Sequence, residues 1–216
     1  MELVYVGDPM CSWCYGFGKE LTEVRKLLPD LPLRIVVGGI RAGATDILDE
    51  AGKRFRLHHW GLVENASGLP FNREGLMARE GFVYDTEPIC RAVVTARLLV
   101  PQCDLLTVFR ALQEAFYVDA RDTTDGKVLA EVAVHALNRQ GHDVSAETFL
   151  ALWSSDAAIA DTIEDFHTAR SWRVSSFPAL RLHHGGRLYH VSDGFARAED
   201  VARKLTQVID VASAAA

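Results

Sequence analysis

The sequence predicts a mixed α/β fold that runs β-α-β, then a long all-helical insertion, then β-β-α. Three observations carry that reading. An apolar run, Leu3-Val4-Tyr5-Val6, and a β-branched run over 33–40 flank an amphipathic stretch, with Cys11-Ser12-Trp13-Cys14 at the first junction. From 44 to 170 the apolar residues recur almost wholly at helical spacing. From Ala179 onward a hairpin pattern and one more amphipathic stretch close the chain.

The first strand ends at Asp8-Pro9-Met10, which places Cys11 at or just before the first turn of a helix. Phe17, Leu21, Val24, Leu27 and Leu28 fall on one face of that helix, with Lys19, Glu20, Glu23, Arg25 and Lys26 largely opposite. Pro29 stops it. Residues 33–40, between Pro32 and the Arg41-Ala-Gly turn, have the continuous apolar character of a central parallel strand. The two cysteines therefore lie at the carboxyl end of the first strand, where chemistry gathers in open α/β sheets.

In the insertion, Ile47, Leu48, Ala51 and Phe55 pattern a helix reaching roughly His59-Trp60, and 61–81 reads as a polar loop with short turns. Thr86-Glu87-Pro88 opens a helix carrying Ile89, Val93, Ala96 and Val100, with proline in its permitted first turn and Pro101 at its end. Leu105, Phe109, Leu112 and Phe116 mark the next helix, and Val128, Leu129, Val132 and Leu137 another. A short helix starts at Phe149, Leu152 and Trp153; the last carries Ile159, Ile163 and Phe166. The tail reads as a hairpin, Ala179–His183 and Arg187–Val191 about a Gly185-Gly186 turn, then a helix with Val201, Leu205, Val208 and Ala212 on its face. Residues 213–216 are expected to fray. This order is a thioredoxin fold interrupted after its second strand. Residues 1–43 and 171–216 would form the thioredoxin-like domain, and 44–170 a helical insertion subdomain.

Composition narrows the function. The chain has 216 residues, 49% hydrophobic and 24% charged, enough to bury a core without disulfide staples. A net charge of −6 offers no electrostatic footprint for nucleic acid, and no apolar run approaches the roughly 18–20 residues that span a bilayer. Met1-Glu2 leads straight into the first strand, leaving no room for a secretory signal, so a cytoplasmic protein with reduced or transiently oxidised cysteines is expected.

A helix N-terminus has unpaired N–H groups and a partial positive charge, which stabilise a thiolate. Cys11 is thus the expected attacking sulfur, and Cys14, one turn on along the same face, the resolving one. The bland alternatives are half of a zinc site or two unconnected core thiols. Neither the Cys90/Cys103 pair nor His58-His59 completes a metal site, and no metal or other cofactor is expected. Asp8 is either a proton relay to Cys14 or a capping or solvated loop residue. Trp13 should lie partly exposed between the sulfurs, where it and Ser12 could contact substrate, whereas Trp60, Trp153 and Trp172 should be core. His58 and His59 should end a helix and favour its dipole. Cys103 is a bystander. Pro178 is either a plain strand start or a cis proline facing the dithiol, exposing the peptide groups of Phe177 to an extended substrate.

The order Asp-x-x-Cys-x-x-Cys-Tyr-Gly at Asp8–Gly16, a helical insertion, and Ser-x-Phe-Pro at Ser175–Pro178 before a terminal β-β-α resembles DsbA-like thioredoxin-fold oxidoreductases, and within them the cytosolic FrnE-like branch. Glu80-Gly81-Phe82-Val83-Tyr84-Asp85-Thr86-Glu87-Pro88 and Leu112-Gln113-Glu114-Ala115-Phe116-Tyr117 are also similar to that branch. The resemblance implies a cis Pro178 beside the dithiol, with Phe177 and Pro178 as substrate contacts. It also implies that Cys90 approaches the site, either as a second redox cysteine or as a buried thiol. Ser12-Trp13 departs from the Pro-His pair of periplasmic relatives, so a strongly oxidising character does not carry over. The expected function is thiol–disulfide exchange or isomerisation on protein or small-molecule disulfides, recycled by glutathione or a thioredoxin-type reductant. The alternatives are a kappa-type glutathione-dependent isomerase or transferase, and a redox-sensing binding or chaperone module.

Overall fold

The structure is a computed structural model that describes residues 1–214. The chain opens with β1 (Glu2–Gly7), α1 (Ser12–Leu27) and β2 (Leu33–Val37). The helices α2 (Glu50–Ser67), α3 (Arg73–Met77), α4 (Glu87–Leu99), α5 (Leu105–Tyr117), α6 (Gly126–Asn138), α7 (Ala146–Trp153) and α8 (Asp156–Ser171) follow. The chain then returns through β3 (Ala179–His184), β4 (Arg187–Asp193) and α9 (Ala198–Ala214). The final helix continues through Ser213 and Ala214 rather than fraying there; 215–216 lie outside the described residues.

The strands form one sheet in the order β2-β1-β3-β4. β1 runs parallel to β2, from Leu3 opposite Leu33 to Gly7 opposite Val37, and antiparallel to β3. Alternation along the strands assigns the two faces. Leu3, Tyr5, Ile35, Val37, Leu180 and Leu182 join the large core that includes α1 and α9. Val4, Val6, Val36 and Ala179 pack on the other side with Ala169 of α8 and Val174.

The sequence reading places 33–40 as a central strand; the structure puts β2 at the sheet edge and ends it at Val37. Its apolar character has another cause, because α8 and α4 cover it. Asp165 of α8 accepts from the Val37 N–H at 3.1 Å, and Arg97 of α4 donates to the Ile35 carbonyl at 3.0 Å. The two side chains also pair at 2.9 Å. An edge that would otherwise present open backbone groups is thereby closed by an ion pair.

The region 61–81 is also more ordered than its composition suggests. α2 passes through Gly61 to Ser67, where Gly68 at φ +72 ends it, and Asn72 caps α3 by accepting from the Gly75 N–H. The reason is tertiary. A Cβ on Gly16 of α1 would stand 2.8 Å from Val63, so the two helices approach through that glycine, and Lys19 donates to the Ser67 carbonyl. His58 and His59 consequently lie within α2, not at its end, and the dipole role does not apply. Ile47 sits before α2 in an isolated bridge to Val83, and Ile163 of α8 is exposed, the buried stripe being Ala158, Thr162, Asp165, Phe166 and Ala169. Trp60 is core; Trp153 and Trp172 are half-buried at its margin.

Asp165→Ala would leave the Val37 N–H without its acceptor and the Arg97 guanidinium without its counter-charge, held only by the Ile35 carbonyl. Urea denaturation should show a loss of about 2–3 kcal/mol. A loss below about 0.5 kcal/mol, the level of an ordinary surface change, would contradict this role for the pair.

Candidate functional site

Cys11 is the N-cap of α1, with extended backbone at φ −84 and ψ 117, and its side chain does not cap the helix. Its Sγ is instead directed across the sheet, 3.6 Å from the Phe177 carbonyl oxygen, to which the thiol donates. Cys11 is 8% exposed and Cys14 fully buried. Both are unbridged thiols. The Asp8 N–H points at the Cys14 sulfur at 3.5 Å. Burial first, and then the neighbouring Cys11 sulfur, push the Cys14 thiol well above its ordinary range.

Phe177 is held from below. The Phe177–Pro178 bond is cis. The Phe177 ring lies against Gly38, where a Cβ would come within 2.2 Å of it, and Gly39, at φ +60, faces Phe166 in the same way. The glycines after β2 are therefore the space into which the loop carrying Phe177 packs. Its carbonyl is left at Cys11 and Pro178 is buried behind it.

The Asp8 carboxylate joins this loop to the dithiol. Fully buried, it accepts from Met10 N–H at 2.8 Å with Oδ1 and from Ile40 N–H at 2.7 Å with Oδ2. Thr86 and Cys90 also approach it. The sequence left a relay role open for Asp8. Its carboxylate is turned to the loops and to Cys90, and only its main-chain N–H reaches Cys14.

Cys90 is fully buried, and burial, followed by the Asp8 charge, raises its thiol well above the ordinary range. Cys103 lies on the loop between α4 and α5, its thiol pushed up to about 11 by burial. Ser12 and Trp13 are half-buried, and Trp13 meets Phe195 at 6.0 Å between ring centroids.

Residue-by-residue reading of the sequence missed the tyrosines. Tyr84 donates to the Met10 carbonyl at 2.5 Å, and the Arg56 guanidinium lies 4.2 Å over its ring. Tyr117 stacks on Tyr15 at 4.8 Å, with Tyr84 and Cys11 among the groups around its hydroxyl. Both occur in segments that carry the family resemblance, so the signal was present without a role attached. Tyr5 gave no signal. Its fully buried hydroxyl faces Cys14 without a well-formed hydrogen bond, and burial raises its pKa most.

A scan against protein-family models and a search of curated proteins found no match. Solved structures do match. A putative protein disulfide isomerase from Nitrosomonas europaea is 33% identical, covers 97% of each chain and superposes with a TM-score of 0.86. The chain belongs to the DsbA-like family. The cytosolic disulfide reductase DsbM from Pseudomonas aeruginosa shares the fold at 23% identity, TM-score 0.77, over 98% of this chain and 100% of that one. A second structure of it, with GSH, has a TM-score of 0.74 at 22% identity, covering 97% and 100%. At 12% identity a 2-hydroxychromene-2-carboxylate isomerase has a TM-score of 0.61, covering 98% of this chain and 94% of its own.

In this DsbA-like chain, the described residues contain no group of three or more His, Cys, Asp or Glu side chains placed to hold a metal ion. No helix among them is long and apolar enough to cross a membrane. A cleft of about 1010 Å³, lined by Arg25, Arg110, Glu131 and Arg139 among others, includes none of the residues around Cys11.

Burial raises the Asp8 pKa from 3.8 to about 6, against the pull of its hydrogen bonds. The folded chain therefore binds this proton more tightly than the unfolded one. Stability from the site is fully present below pH 4 and is lost as pH rises through about 6. Asp8→Asn removes the titration. The unfolding free energy of wild type relative to that variant should rise by on the order of 3 kcal/mol as pH falls from 7 to 4. A difference that stays flat, or falls, over that range would contradict the assignment.

Proposed function

We propose that the protein is a thiol–disulfide oxidoreductase or isomerase working through Cys11 and Cys14. The observation that carries this is the Cys11 sulfur at a helix N-cap, 3.6 Å from the Phe177 carbonyl, with Cys14 buried one turn behind it. The N-terminal end of α1, where this sulfur sits, carries a partial positive charge. A backbone edge beside it gives an extended disulfide-bearing segment a hydrogen-bonding partner that is indifferent to side-chain sequence.

The exchange is balanced as follows. The Cys11 thiolate attacks one sulfur of a substrate disulfide; that S–S bond breaks and the other sulfur leaves as a thiolate, which takes up a proton. Cys14 gives up its proton and attacks Cys11 Sγ, forming the Cys11–Cys14 disulfide and releasing the second substrate thiolate. Two electrons pass from the dithiol to the substrate, and a thiol reductant returns them. The elevated Cys14 pKa keeps the resolving sulfur protonated until the mixed disulfide forms, so Cys11 acts first.

Ser12, Trp13 and Phe177 are the surface that a substrate meets, and Pro178, buried behind Phe177, shapes that loop without reaching the substrate. The Asp8 carboxylate sets the positions of Met10 and Ile40 on either side of the site. Cys90 is a buried thiol that holds Asp8 company and takes no electrons. Residues 1–43 and 171–216 act as the thioredoxin-like unit and 44–170 as the helical insertion that frames it. Glutathione as the returning thiol, and a cytosolic setting, are supported by the likeness to DsbM and its structure with GSH. A kappa-type glutathione transferase chemistry, the second reading, would leave the buried Cys14 without a task.

Cys11→Ser should abolish reduction of a model disulfide, and Cys14→Ser should accumulate mixed disulfides on Cys11, detected by intact mass under non-reducing conditions. No trapped adduct with either glutathione disulfide or a protein substrate carrying scrambled disulfides would contradict the mechanism.

A further inference from the structure

Tyr5 of β1 is fully buried, and among the described residues its hydroxyl has no hydrogen-bond partner. Packing sends that hydroxyl toward the dithiol. Tyr5 and Gly7 lie two apart on one face of the sheet, the face that α1 covers. The ring lies along the strand across Gly7, where a Cβ would come within 2.6 Å of the hydroxyl oxygen. Phe17 of α1 and Phe109 of α5 hold it there, with ring centroids at 6.0 and 5.5 Å. Cys14 lies one turn before Phe17 and is equally buried. The residue after Gly7 is Asp8, whose N–H points at the Cys14 sulfur at 3.5 Å. The Tyr5 hydroxyl and that N–H act on one sulfur: burial, and then Cys11, raise the Cys14 pKa, and these two donors pull it down.

A buried hydroxyl without a partner is a cost in the resting dithiol. Its position gives it a partner at one point of the exchange. Cys14 must become a thiolate to attack Cys11, in surroundings whose burial opposes the charge. A hydrogen bond to an ionised acceptor is about twice as strong as one between neutral groups, so the hydroxyl is worth more as charge develops on the sulfur. Burial first, and then the charge on Cys14, raise the Tyr5 hydroxyl well above its ordinary range, so it stays protonated and remains a donor.

We propose that Tyr5 is a catalytic hydrogen-bond donor for the second half of the exchange, stabilising the Cys14 thiolate as it attacks the mixed disulfide. This rests on the thiol–disulfide reading of Cys11 and Cys14 and names a further residue of that site. In the step it serves, Cys14 sulfur bonds to Cys11 Sγ and the bond from Cys11 to the substrate sulfur breaks. The proton from Cys14 ends on the released substrate thiol, and Tyr5 keeps its own. The titratable groups that face the hydroxyl are Cys14, Cys11 and Asp8, while α1 and α5 pack Phe17 and Phe109 against the ring.

The test reacts the reduced protein with dithiobis-nitrobenzoate and follows release of the coloured thiolate by stopped flow. All variants carry Cys103→Ser, which removes the half-buried thiol outside the site. Attack by Cys11 releases a first equivalent, and attack by Cys14 on the mixed disulfide a second; Cys14→Ser should release one. Rates are compared above pH 7, where Asp8, with its pKa of about 6, is ionised in every variant. Tyr5→Phe should leave the first phase within about twofold, slow the second about tenfold, and move the pH–rate profile of the second up by about one unit. The hydroxyl removed has no partner, so the melting temperature should not fall. A second phase unchanged in rate and profile, or both phases slowed alike, would overturn the Tyr5 role and leave the redox reading intact. A protein with both cysteines and Tyr5 in place that releases one equivalent overturns the Cys11–Cys14 couple itself, and the Tyr5 role with it.

Discussion

The buried carboxylate of Asp8 stands where two loops must meet without a strand to join them. One loop follows β1 and ends in Cys11; the other follows β2 and begins with Gly38. Each supplies one backbone N–H, Met10 and Ile40, and Asp8 receives both. Burying a carboxylate is costly unless such donors surround it, and here the cost shows as a pKa raised to about 6. Without the carboxylate the buried Met10 N–H would lose its acceptor, which has a cost of its own. Everything at the site is positioned from this joint: Cys11 at the N-cap, the Asp8 N–H against Cys14, and Tyr84 on the Met10 carbonyl.

The opposite wall depends on space rather than charge. Gly38 and Gly39 leave room for the rings of Phe177 and Phe166, so the cis-proline loop and α8 pack against the end of β2. Arg97 and Asp165 close the edge of that strand, which fixes the point where the two glycines begin. The Phe177 carbonyl then arrives at the Cys11 sulfur as a consequence of packing some distance away.

What the sequence made legible was local. The strand–helix junction at Cys11, the proline-marked ends of α1 and α4, and the hairpin about Gly185-Gly186 all follow from turn chemistry and periodicity within a few residues. What it hid was set by distant partners. Gly61 suggested a break in α2, but packing of Val63 and Ser67 against Gly16 keeps the helix intact. Residues 33–37 looked like a central strand because α8, remote in sequence, shields an edge strand equally well. Asp8 drew attention as a titratable group near two thiols. The direction of its carboxylate, toward Ile40 and Cys90, depends on a loop contact that no local pattern encodes. Tyr5 looked like an ordinary strand residue, and only the fold brings its hydroxyl to Cys14.

The central claim is that Cys11 and Cys14 form one two-electron couple, isolated from the other cysteines. The most direct measurement equilibrates the protein in glutathione or dithiol buffers across a range of potentials. Free thiols are then alkylated before and after unfolding and mapped by mass spectrometry. The account predicts a single transition in which Cys11 and Cys14 lose alkylation together, with Cys90 labelled only after unfolding and never bridged. Absence of a Cys11–Cys14 disulfide at every potential, or a bridge that includes Cys90, would contradict it.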